Sequence, residues 1–240
     1  YFIDSHSIQD PMNAGIYESL AIDLLNNLFR SYTMVIACGG SGFYHEVICE
    51  GLDEFPDIPK SIKRELLEEY ESKGLKPLLL ELKAEDPESH ANIDLENPRR
   101  VLRALEVIRS SNKAFSSFKN APKKARSFEC IKLYLTEDRQ ILYDRINERV
   151  DQMLADGLEA EARSLYQFKS LKALHTVGYQ EFFKYFDGEI SKDEAIRLIK
   201  RNSRRYAKRQ LTWYRNHGWK AFHRKNFDEI VQYIECRLTS

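Results

Sequence analysis

The stretch Thr33-Met34-Val35-Ile36-Ala37-Cys38-Gly39-Gly40-Ser41-Gly42 determines the fold that we expect of this chain. Its mostly apolar first part has the length of a short buried strand, and it ends in a glycine-rich turn. The preceding segment, 17–30, carries leucines at helical spacing, and the following segment, 43–49, has the pattern of another helix. Helix, buried strand and glycine turn in this order are typical of an α/β protein.

A second strand is predicted at residues 131–135. Between the two predicted strands, residues 53–118 are punctuated by prolines and contain acidic, leucine-rich helical stretches, of which Lys60–Lys73 is the clearest. We therefore expect an α/β core formed by residues 1–52 and 119–240, with a mainly helical insertion domain at 53–118.

The part of the chain after the second strand is predicted to be helical. Thr136 is the expected cap of a helix over 139–154, and further helical segments follow to residue 165 and over 171–214. Ser191, with Glu194 three residues later, has the spacing of a capping box.

The composition excludes several classes of protein. Hydrophobic residues make up 42% of the 240 residues, enough for a sizeable core, and no apolar run approaches the roughly 20 residues of a membrane-spanning helix. The four cysteines lie far apart without a CxxC pair, so neither a disulfide scaffold nor a zinc site is indicated. A cytoplasmic protein is expected. The opening Tyr1-Phe2-Ile3-Asp4 reads like the interior of a longer chain, so we expect residues upstream of it.

The charges are unevenly distributed. The 37 basic and 37 acidic side chains cancel, yet residues 197–225 hold eleven basic and no acidic residues. The basic residues recur every four positions in two neighbouring rows, and the opposite side of the helix is apolar or neutral: Ile196, Ile199, Ser203, Tyr206, Gln210 and Trp213. One side is predicted to pack and the other to bind a polyphosphate such as nucleic acid. The alternative is a solvated helix neutralised by nearby carboxylates, although the stretch itself contains none.

Four weaker features have both a functional and a structural reading. The helix start at 97–106 carries three arginines, which either bind phosphate or pair with the acidic insertion. The turn 39–42 either offers backbone N–H groups to phosphate or is a packing turn, and it matches neither GxGxxG nor GxxxxGK[ST]. Arg149 is either an anion ligand or a surface ion pair, and 175–180 is ordinarily a plain loop. The sequence presents no nucleophile–base or paired-carboxylate motif and no metal site.

Four ordered motifs together resemble a known family. They are Cys38-Gly39-Gly40-Ser41-Gly42-Phe43-Tyr44 with Glu50-Gly51-Leu52, then Asn97-Pro98 with Arg100 and Arg103-Ala104-Leu105-Glu106, then Val177-Gly178-Tyr179 with Glu181 and Gly188-Glu189-Ile190, and finally Arg204-Arg205-Tyr206-Ala207-Lys208-Arg209-Gln210-Leu211-Thr212-Trp213. The chain is similar over nearly its whole length to the bacterial tRNA dimethylallyltransferases.

The resemblance implies a fold and a reaction. The fold is a parallel-sheet core like that of P-loop kinases, with the helical insertion and a helical C-terminal region. The reaction transfers a dimethylallyl group from its diphosphate to N6 of adenosine 37 in tRNAs reading codons that begin with U, with the adenine flipped out of the stack. The implied partners are the tRNA anticodon stem-loop and dimethylallyl diphosphate, with Mg²⁺ as cofactor, no membrane and a monomeric enzyme.

The resemblance also implies roles for particular residues. Arg149 matches an arginine that contacts the prenyl diphosphate, and Gly39, Gly40, Ser41 and Gly42 form the substrate-binding turn. The implied tRNA contacts are Ser41, Lys63, Arg99, Arg100, Arg103, His175, Thr176, Gly178, Tyr179, Gln180, Arg204, Arg205, Lys208, Arg209, Gln210, Trp213 and Arg215.

The chain departs from the family pattern at its start. The family's GxxxxGK[ST] phosphate loop and its Asp-Ser-x-Gln segment do not occur in these 240 residues. The general base and the ligands of Mg²⁺ are therefore expected upstream of residue 1. Two alternatives remain open: a non-catalytic tRNA-binding fragment, and an enzyme that prenylates free adenine nucleotides.

Overall fold

The computed structural model describes residues 1–10, 12–119 and 125–238. It divides the chain into two compact units. Unit 1 comprises residues 1–49 and 128–240, and unit 2 comprises residues 50–127. The boundaries drawn from the sequence, at 52/53 and 118/119, differ from these by three and nine residues.

Twelve α-helices and two strands are assigned within the described residues, and each unit is built mainly of helices. In chain order they are α1 (Ala14–Leu28), α2 (Gly42–Glu50), α3 (Lys60–Lys73), α4 (Leu75–Glu85), α5 (Pro87–Asn92), α6 (Pro98–Ser111), α7 (Phe115–Lys119), β1 (Leu133–Thr136), α8 (Arg139–Ala155), α9 (Leu158–Leu165), α10 (Tyr179–Phe186), α11 (Lys192–Asn216), β2 (Lys220–His223) and α12 (Phe227–Leu238). Two single-turn 3₁₀ helices, Tyr166–Phe168 and Lys172–Leu174, lie between α9 and α10.

The sheet belongs to unit 1. β1 and β2 pair in parallel, with Leu133 opposite Lys220 and Thr136 opposite His223. The chain between the paired strands is helical, as parallel pairing requires of a crossover connection. The α/β class is therefore confirmed, and the predicted strand at 131–135 is present with its bounds shifted by one or two residues.

The buried strand predicted at residues 33–38 is wrong. Val35 is half-buried against the cluster of Ala21, Leu25 and Ile48, but Met34 is 50% exposed and Ile36 80% exposed. An extended segment becomes a strand only when its backbone hydrogen-bonds to a neighbour, and the sheet found in the described residues contains β1 and β2 alone. The glycine turn still follows this segment and leads directly into α2.

The main core of unit 1 lies among α8, α9, α10 and α11. Phe182 is fully buried, and Val150, Leu158 and Ile199 surround it in one cluster. Phe182 and Phe186 stack with ring centroids 5.9 Å apart. This packing fixes one side of α11 and leaves its other side toward solvent.

Unit 2 is a helical body held by an apolar core and a polar centre. Leu66, Leu78 and Val101 bring α3, α4 and α6 together. Arg109 of α6 donates to Glu69 of α3 at 2.9 Å and to Glu81 of α4 at 2.7 Å, so one guanidinium ties three helices. No local pattern in the sequence predicts this contact.

A buried carboxylate organises the far end of unit 2. Asp86 is 1% exposed and accepts from the backbone N–H of Ser89 at 3.0 Å and of Ser116 at 2.8 Å. Burial alone raises the pKa of Asp86, but these bonds and that of the Ser116 hydroxyl outweigh burial and hold the pKa below its usual value. The aspartate therefore stays ionised and links α5 to α7.

Two of the predicted helix starts differ in outcome. Ser191 caps α11 as expected, accepting from the Glu194 N–H at 3.2 Å, although the Glu194 carboxylate bonds Arg197 instead of returning to Ser191. Thr136 as a cap is wrong, because it is the last residue of β1 and the cap of α8 is Asp138, whose side chain accepts from the N–H groups of Gln140 and Ile141. The helix predicted at Lys60–Lys73 is confirmed.

In the part of the chain that the structure describes, no helix combines the length and the apolar character needed to cross a membrane.

Candidate nucleic-acid interface

The long helix α11 carries the basic residues predicted from the sequence, and its two halves differ. In the N-terminal half, residues 192–204, Arg197 pairs with Glu194 at 2.6 Å and Lys200 pairs with Asp151 of α8 at 2.5 Å. Arg204 donates to the Asn147 side-chain oxygen at 2.6 Å. The expectation that no carboxylate neutralises the cations is therefore wrong for Arg197 and Lys200, whose partners lie at the helix start and on α8.

The cations of the C-terminal half, residues 205–216, are free of carboxylates. Arg205, Lys208 and Arg209 are exposed and make no ion pair with any described residue. With Trp213 and His217 they line an open groove of about 540 Å³. Like charges this close repel one another, so an anionic ligand would stabilise the groove.

The opposite side of the same half holds the glycine turn. Gln210 Nε2 donates to the carbonyl of Gly40 at 2.6 Å. A Cβ atom added to Gly42 would lie 2.2 Å from the indole ring of Trp213, so only glycine fits there. The predicted division of α11 into a packing side and a cationic side is confirmed for these residues.

A cleft opens in front of the turn. It has a volume of about 390 Å³ and is lined by the turn and by the stacked rings of Tyr17 and Tyr44, whose centroids are 4.4 Å apart. Burial, reinforced by Tyr44, raises the pKa of Tyr17. Ser41 is exposed and directly precedes the first residue of α2, and its carbonyl accepts from the N–H groups of Tyr44 and His45.

His45 connects this cleft to α11. Its Nδ1 is hydrogen-bonded to the Tyr214 hydroxyl at 2.9 Å, and its ring also lies beside Trp219 with centroids 5.6 Å apart. Burial lowers the pKa of His45, which keeps the imidazole neutral near neutral pH. His45 and Tyr214 are separated by 169 residues, and no local pattern in the sequence signals their contact.

Arg149 lies on α8 as an exposed side chain. The alternative reading was an ion pair with Glu148 or Asp151, but Asp151 bonds Lys200 and Arg149 makes no ion pair within the described part of the chain. The guanidinium is therefore available to an anion.

The segment 175–180 divides into exposed and structural residues. His175, Thr176 and Gln180 are exposed. Gly178, at φ 106°, begins α10 and donates its N–H to the Glu181 carboxylate at 2.8 Å. Tyr179 donates its hydroxyl to Glu161 at 2.7 Å, and burial together with Glu161 raises the pKa of Tyr179 to about 12.

Glu181 is a polar link that sequence reasoning missed. It is 5% exposed, and besides the Gly178 N–H it accepts from the Asn202 side chain at 2.7 Å. The carboxylate thus joins the start of α10 to the packed side of α11. In the sequence it appears only as the glutamate of the glycine–tyrosine motif, and its partner on α11 lies 21 residues away.

Unit 2 carries its own group of arginines at the start of α6. Asn97 caps this helix, and Pro98 follows it at the first position as predicted. Arg100 pairs with Asp94 at 3.8 Å and Arg103 with Glu106 at 3.2 Å, so the salt-bridge reading holds for both. Arg103 also lies 5.2 Å from the centroid of the Phe55 ring.

Two other unit 2 residues remain free of carboxylates. Lys63 and Arg99 are exposed and make no ion pair among the described residues. In unit 1, Arg215 is likewise exposed without an ion pair in that part of the chain.

The arrangement of His, Cys, Asp and Glu side chains bears on the implied metal ion. Across residues 1–10, 12–119 and 125–238, no three His, Cys, Asp or Glu side chains gather closely enough to hold one. The residues of this part of the chain therefore present no preformed cluster to which the implied Mg²⁺ can be assigned.

An α/β unit with a glycine turn beside a cleft and unpaired cations on the adjoining helix is an arrangement suited to a protein that binds phosphates or nucleic acid. The family model described as IPP transferase matches residues 1–217. The chain belongs to the IPP transferase family, and the resemblance drawn from its four motifs is confirmed.

Individual relatives agree with this assignment. The chain is 47% identical over 239 residues to the tRNA dimethylallyltransferase of Cytophaga hutchinsonii, covering 99% of this chain and 79% of the relative. It is 42% identical to tRNA dimethylallyltransferase 1 of Bacteroides fragilis, with the same coverage. Its fold matches the crystal structure of the tRNA isopentenylpyrophosphate transferase of Bacillus halodurans with a TM-score of 0.68 and 32% identity, over 100% of this chain and 78% of that one.

Proposed function

We propose that this protein is a tRNA prenyl transferase that moves the dimethylallyl group of dimethylallyl diphosphate to N6 of adenosine 37 in tRNAs reading codons that begin with U. Membership in the IPP transferase family supports transfer to tRNA. The position of the adenosine and the codon class are part of the proposal. We also propose that it acts as a monomer in the cytoplasm.

The observation that carries the proposal is the arrangement of the C-terminal half of α11. Its exposed side presents Arg205, Lys208 and Arg209 without carboxylate partners. Its packed side holds the glycine turn that borders the cleft. A phosphate backbone bound on the cations would lie on the helix that also shapes the cleft, which suits an enzyme that must position an RNA and modify one of its bases.

In this reaction the bond from N6 to C1 of the dimethylallyl group forms as the C1–oxygen bond breaks, diphosphate leaves with the bonding electrons, and a proton leaves N6. The adenine amine is a poor nucleophile, and negative charge grows on the diphosphate. We assign Arg149 to that diphosphate because it matches the family's diphosphate-contacting arginine, and its exposed guanidinium, without a carboxylate partner in the described chain, supports this assignment. The backbone of the turn 39–42 is assigned to substrate binding.

No residue of this chain is assigned as general base. Mg²⁺ is part of the proposal by likeness to the family, and it would neutralise diphosphate when bound. Because the described residues do not gather a metal-binding group, none of them is assigned to hold the ion.

The proposed tRNA contacts differ in their exposure and in whether they already bind another group of the protein. The exposed cations without ion pairs in the described chain are the best supported: Lys63, Arg99, Arg205, Lys208, Arg209 and Arg215. Arg100 and Arg103 are paired with carboxylates and would contact RNA with part of their charge neutralised, whereas Arg204 is hydrogen-bonded to the neutral Asn147 amide and keeps its charge. His175, Thr176 and Gln180 are exposed and available for hydrogen bonds.

The test is direct. Protein expressed from its complete reading frame is incubated with dimethylallyl diphosphate and unmodified tRNA, and the digested nucleosides are analysed by mass. We expect a prenylated adenosine that maps to position 37 of tRNAs reading codons that begin with U, and none in tRNAs whose position 37 is guanosine.

The two alternatives are separate outcomes. Prenylated AMP with unmodified tRNA would assign the protein to free adenine nucleotides. Salt-dependent tRNA binding without a prenylated product would make it a tRNA-binding protein without catalysis.

A further inference from the structure

We propose that Gln210 is a positioning residue: it holds the Gly40 carbonyl against α11 and thereby orients the Ser41 backbone N–H, and it is not an RNA contact. The inference depends on the proposed function, because it assigns the turn a part in prenyl transfer. It reassigns Gln210 from the tRNA-contacting group that the family resemblance implied.

The hydrogen bond itself is the first argument. Gln210 Nε2 donates to Gly40 O at 2.6 Å across 170 residues of chain. In a trans peptide the carbonyl and the next N–H point in opposite directions. A Gly40 carbonyl fixed toward α11 therefore fixes the Ser41 N–H away from α11, and that N–H has no hydrogen-bond partner among the described residues.

The position of Ser41 makes this orientation relevant. Gly40 and Ser41 line the cleft of about 390 Å³, and α2 begins at the next residue. A free N–H beside a helix start is a donor suited to an anionic oxygen. Without the bond from Gln210, the Gly40–Ser41 peptide could rotate, because glycine restricts its own backbone so little.

The fit at Gly40 is the second argument. A Cβ atom added there would lie 2.2 Å from Gln210 Nε2, so the amide occupies the space that any side chain at this position would need. The contact is thus reciprocal: glycine at position 40 permits the bond, and glutamine at position 210 uses the space.

The surroundings of Gln210 also favour positioning. Trp213 lies against Gly42, and the Tyr214 hydroxyl is bonded to His45 at 2.9 Å, so three residues on one side of α11 hold the turn and the first part of α2. The neighbours Lys208 and Arg209 are exposed and without carboxylate partners in the described chain. Turn positioning and cation presentation are therefore separable by single substitutions.

The experiment compares Gln210→Ala, Gln210→Glu, Gly40→Ala and the double variant Gly40→Ala/Gln210→Ala in the complete protein. The kcat of prenyl transfer, the Kd for the anticodon stem-loop and the melting temperature are measured for each. Gln167→Ala is the matched control, since this glutamine of unit 1 is exposed and its side chain makes no hydrogen bond to a described residue.

We expect kcat to fall about tenfold for Gln210→Ala, with Kd within twofold of the wild type, because one hydrogen bond is lost and no phosphate contact is. Gln210→Glu should be at least as slow, since a carboxylate facing a carbonyl cannot donate. Gly40→Ala should displace the amide and be similarly slow. The double variant should be no slower than Gln210→Ala, because each substitution removes the same hydrogen bond between Gln210 and Gly40.

Two results would overturn the inference. A Kd that rises tenfold while kcat is unchanged makes Gln210 an RNA contact, and kcat losses that multiply in the double variant show that the two residues do not act together.

The melting temperatures separate this inference from the proposed function. If the wild type transfers no prenyl group but the double variant still shows a non-additive melting temperature, the transferase function fails and the contact stands. If the wild type is active, and the changes in kcat and in melting temperature are both additive in the double variant, the function stands and Gln210 is not the positioning residue.

Discussion

The two halves of α11 have similar sequences and different surroundings. Both carry basic residues about every four positions. In the N-terminal half, Arg197 and Lys200 have carboxylate partners at 2.5–2.6 Å. In the C-terminal half, Lys208 and Arg209 have none among the described residues. The halves differ because Glu194 and Asp151 of α8 pair with basic residues of the first half, whereas no described carboxylate pairs with a lysine or arginine of the second.

The comparison shows that a run of basic residues does not by itself identify a binding surface. A cation that is paired with a carboxylate has much of its charge neutralised and attracts a further anion less. An exposed ion pair of this kind also contributes little to the stability of the fold. A cation without one has its whole field available to a ligand. The following experiments test whether paired and unpaired cations divide the work in this way.

The largest effect is expected at Arg149, an unpaired cation outside α11. Arg149→Ala should lower kcat/KM for dimethylallyl diphosphate, because negative charge grows on the diphosphate as its bond to carbon breaks. The expected loss of transition-state stabilisation is about 2–4 kcal/mol. Affinity for tRNA should change little. Steady-state kinetics with varied donor, together with tRNA binding, measure both quantities.

Arg145→Ala is the matched control for Arg149. Arg145 lies one turn earlier on α8, is exposed, and also makes no ion pair in the described chain. Equal losses in the two variants would mean that donor binding responds to general charge and that Arg149 has no particular role.

The next effect is steric and concerns the packed side of α11. Gly42→Ala places a methyl group 2.2–2.6 Å from three atoms of the Trp213 indole, and a ring cannot yield as a flexible chain end can. We expect a loss of about 1–3 kcal/mol in the free energy of unfolding, measured by denaturant titration.

The neighbouring Gly39→Ala is its control, because a Cβ there meets nothing closer than His45 Nε2 at 3.5 Å. Replacing Trp213 by leucine in the Gly42→Ala protein should recover part of the loss. Equal destabilisation at Gly39 and Gly42 would show that backbone conformation, not the indole, requires glycine in this turn.

The elements predicted best from the sequence are those with local causes. Lys60–Lys73 is confirmed because its periodicity and its bounding Pro59 and Gly74 lie within the segment. The strand at 33–38 failed because strand formation depends on a neighbour elsewhere in the chain, which local hydrophobicity does not report. The misplaced cap at Thr136 has the same cause, because its hydroxyl donates to the Phe222 carbonyl of β2 and its own carbonyl accepts from the Arg224 N–H just after β2.

The candidate site shows the same division. Periodicity alone separated the cationic side of α11 from the side bearing Gln210 and Trp213. It did not reveal that Asp151 neutralises Lys200, or that Arg109 joins three helices of unit 2. Such contacts depend on long-range packing, and only the family motifs drew attention to residues such as Gly178 before the structure located them.

A double substitution contrasts the two halves of α11 directly. Lys208→Gln/Arg209→Gln should weaken binding of the anticodon stem-loop about tenfold near 0.1 M salt and make the slope of log K against log salt shallower by about 1.5, since each phosphate contact contributes roughly 0.7–0.9. For the wild type we expect a slope near −3 to −4. Fluorescence anisotropy over a salt series measures both.

Arg197→Gln/Lys200→Gln is the matched double variant, with the same change of charge in the paired half. Its affinity should stay within threefold of the wild type and its slope should be nearly unchanged. Equal weakening by the two double variants would contradict the distinction between paired and unpaired cations, because it would leave net charge as the determinant.

The smallest effect is expected at the most enclosed carboxylate among the described ion pairs of unit 1. Glu137, whose side chain is 5% exposed, accepts from Arg224 and from His223, the latter at 2.9 Å. The bond from Arg224 lowers the pKa of Glu137 most; burial acts in the opposite direction, and the Asp138 N–H and His223 add to the lowering, which leaves a pKa of about 2 against an ordinary 4.5. The folded state thus resists protonation of this carboxyl more than the unfolded state does.

The sign of the pH effect follows from that difference. A lowered carboxyl pKa stabilises the fold fully above the unfolded pKa near 4.5, and this stabilisation is lost as the pH falls from about 4.5 to about 2. Glu137→Gln should therefore lower the melting temperature at pH 7, lose less on acidification through that window, and leave tRNA affinity unchanged. Glu148→Gln, at an exposed glutamate of α8 without an ion pair in the described chain, should follow the wild type. A Glu137→Gln protein whose melting temperature falls in parallel with the wild type from pH 5 to pH 2 would show that this pair contributes nothing to acid stability.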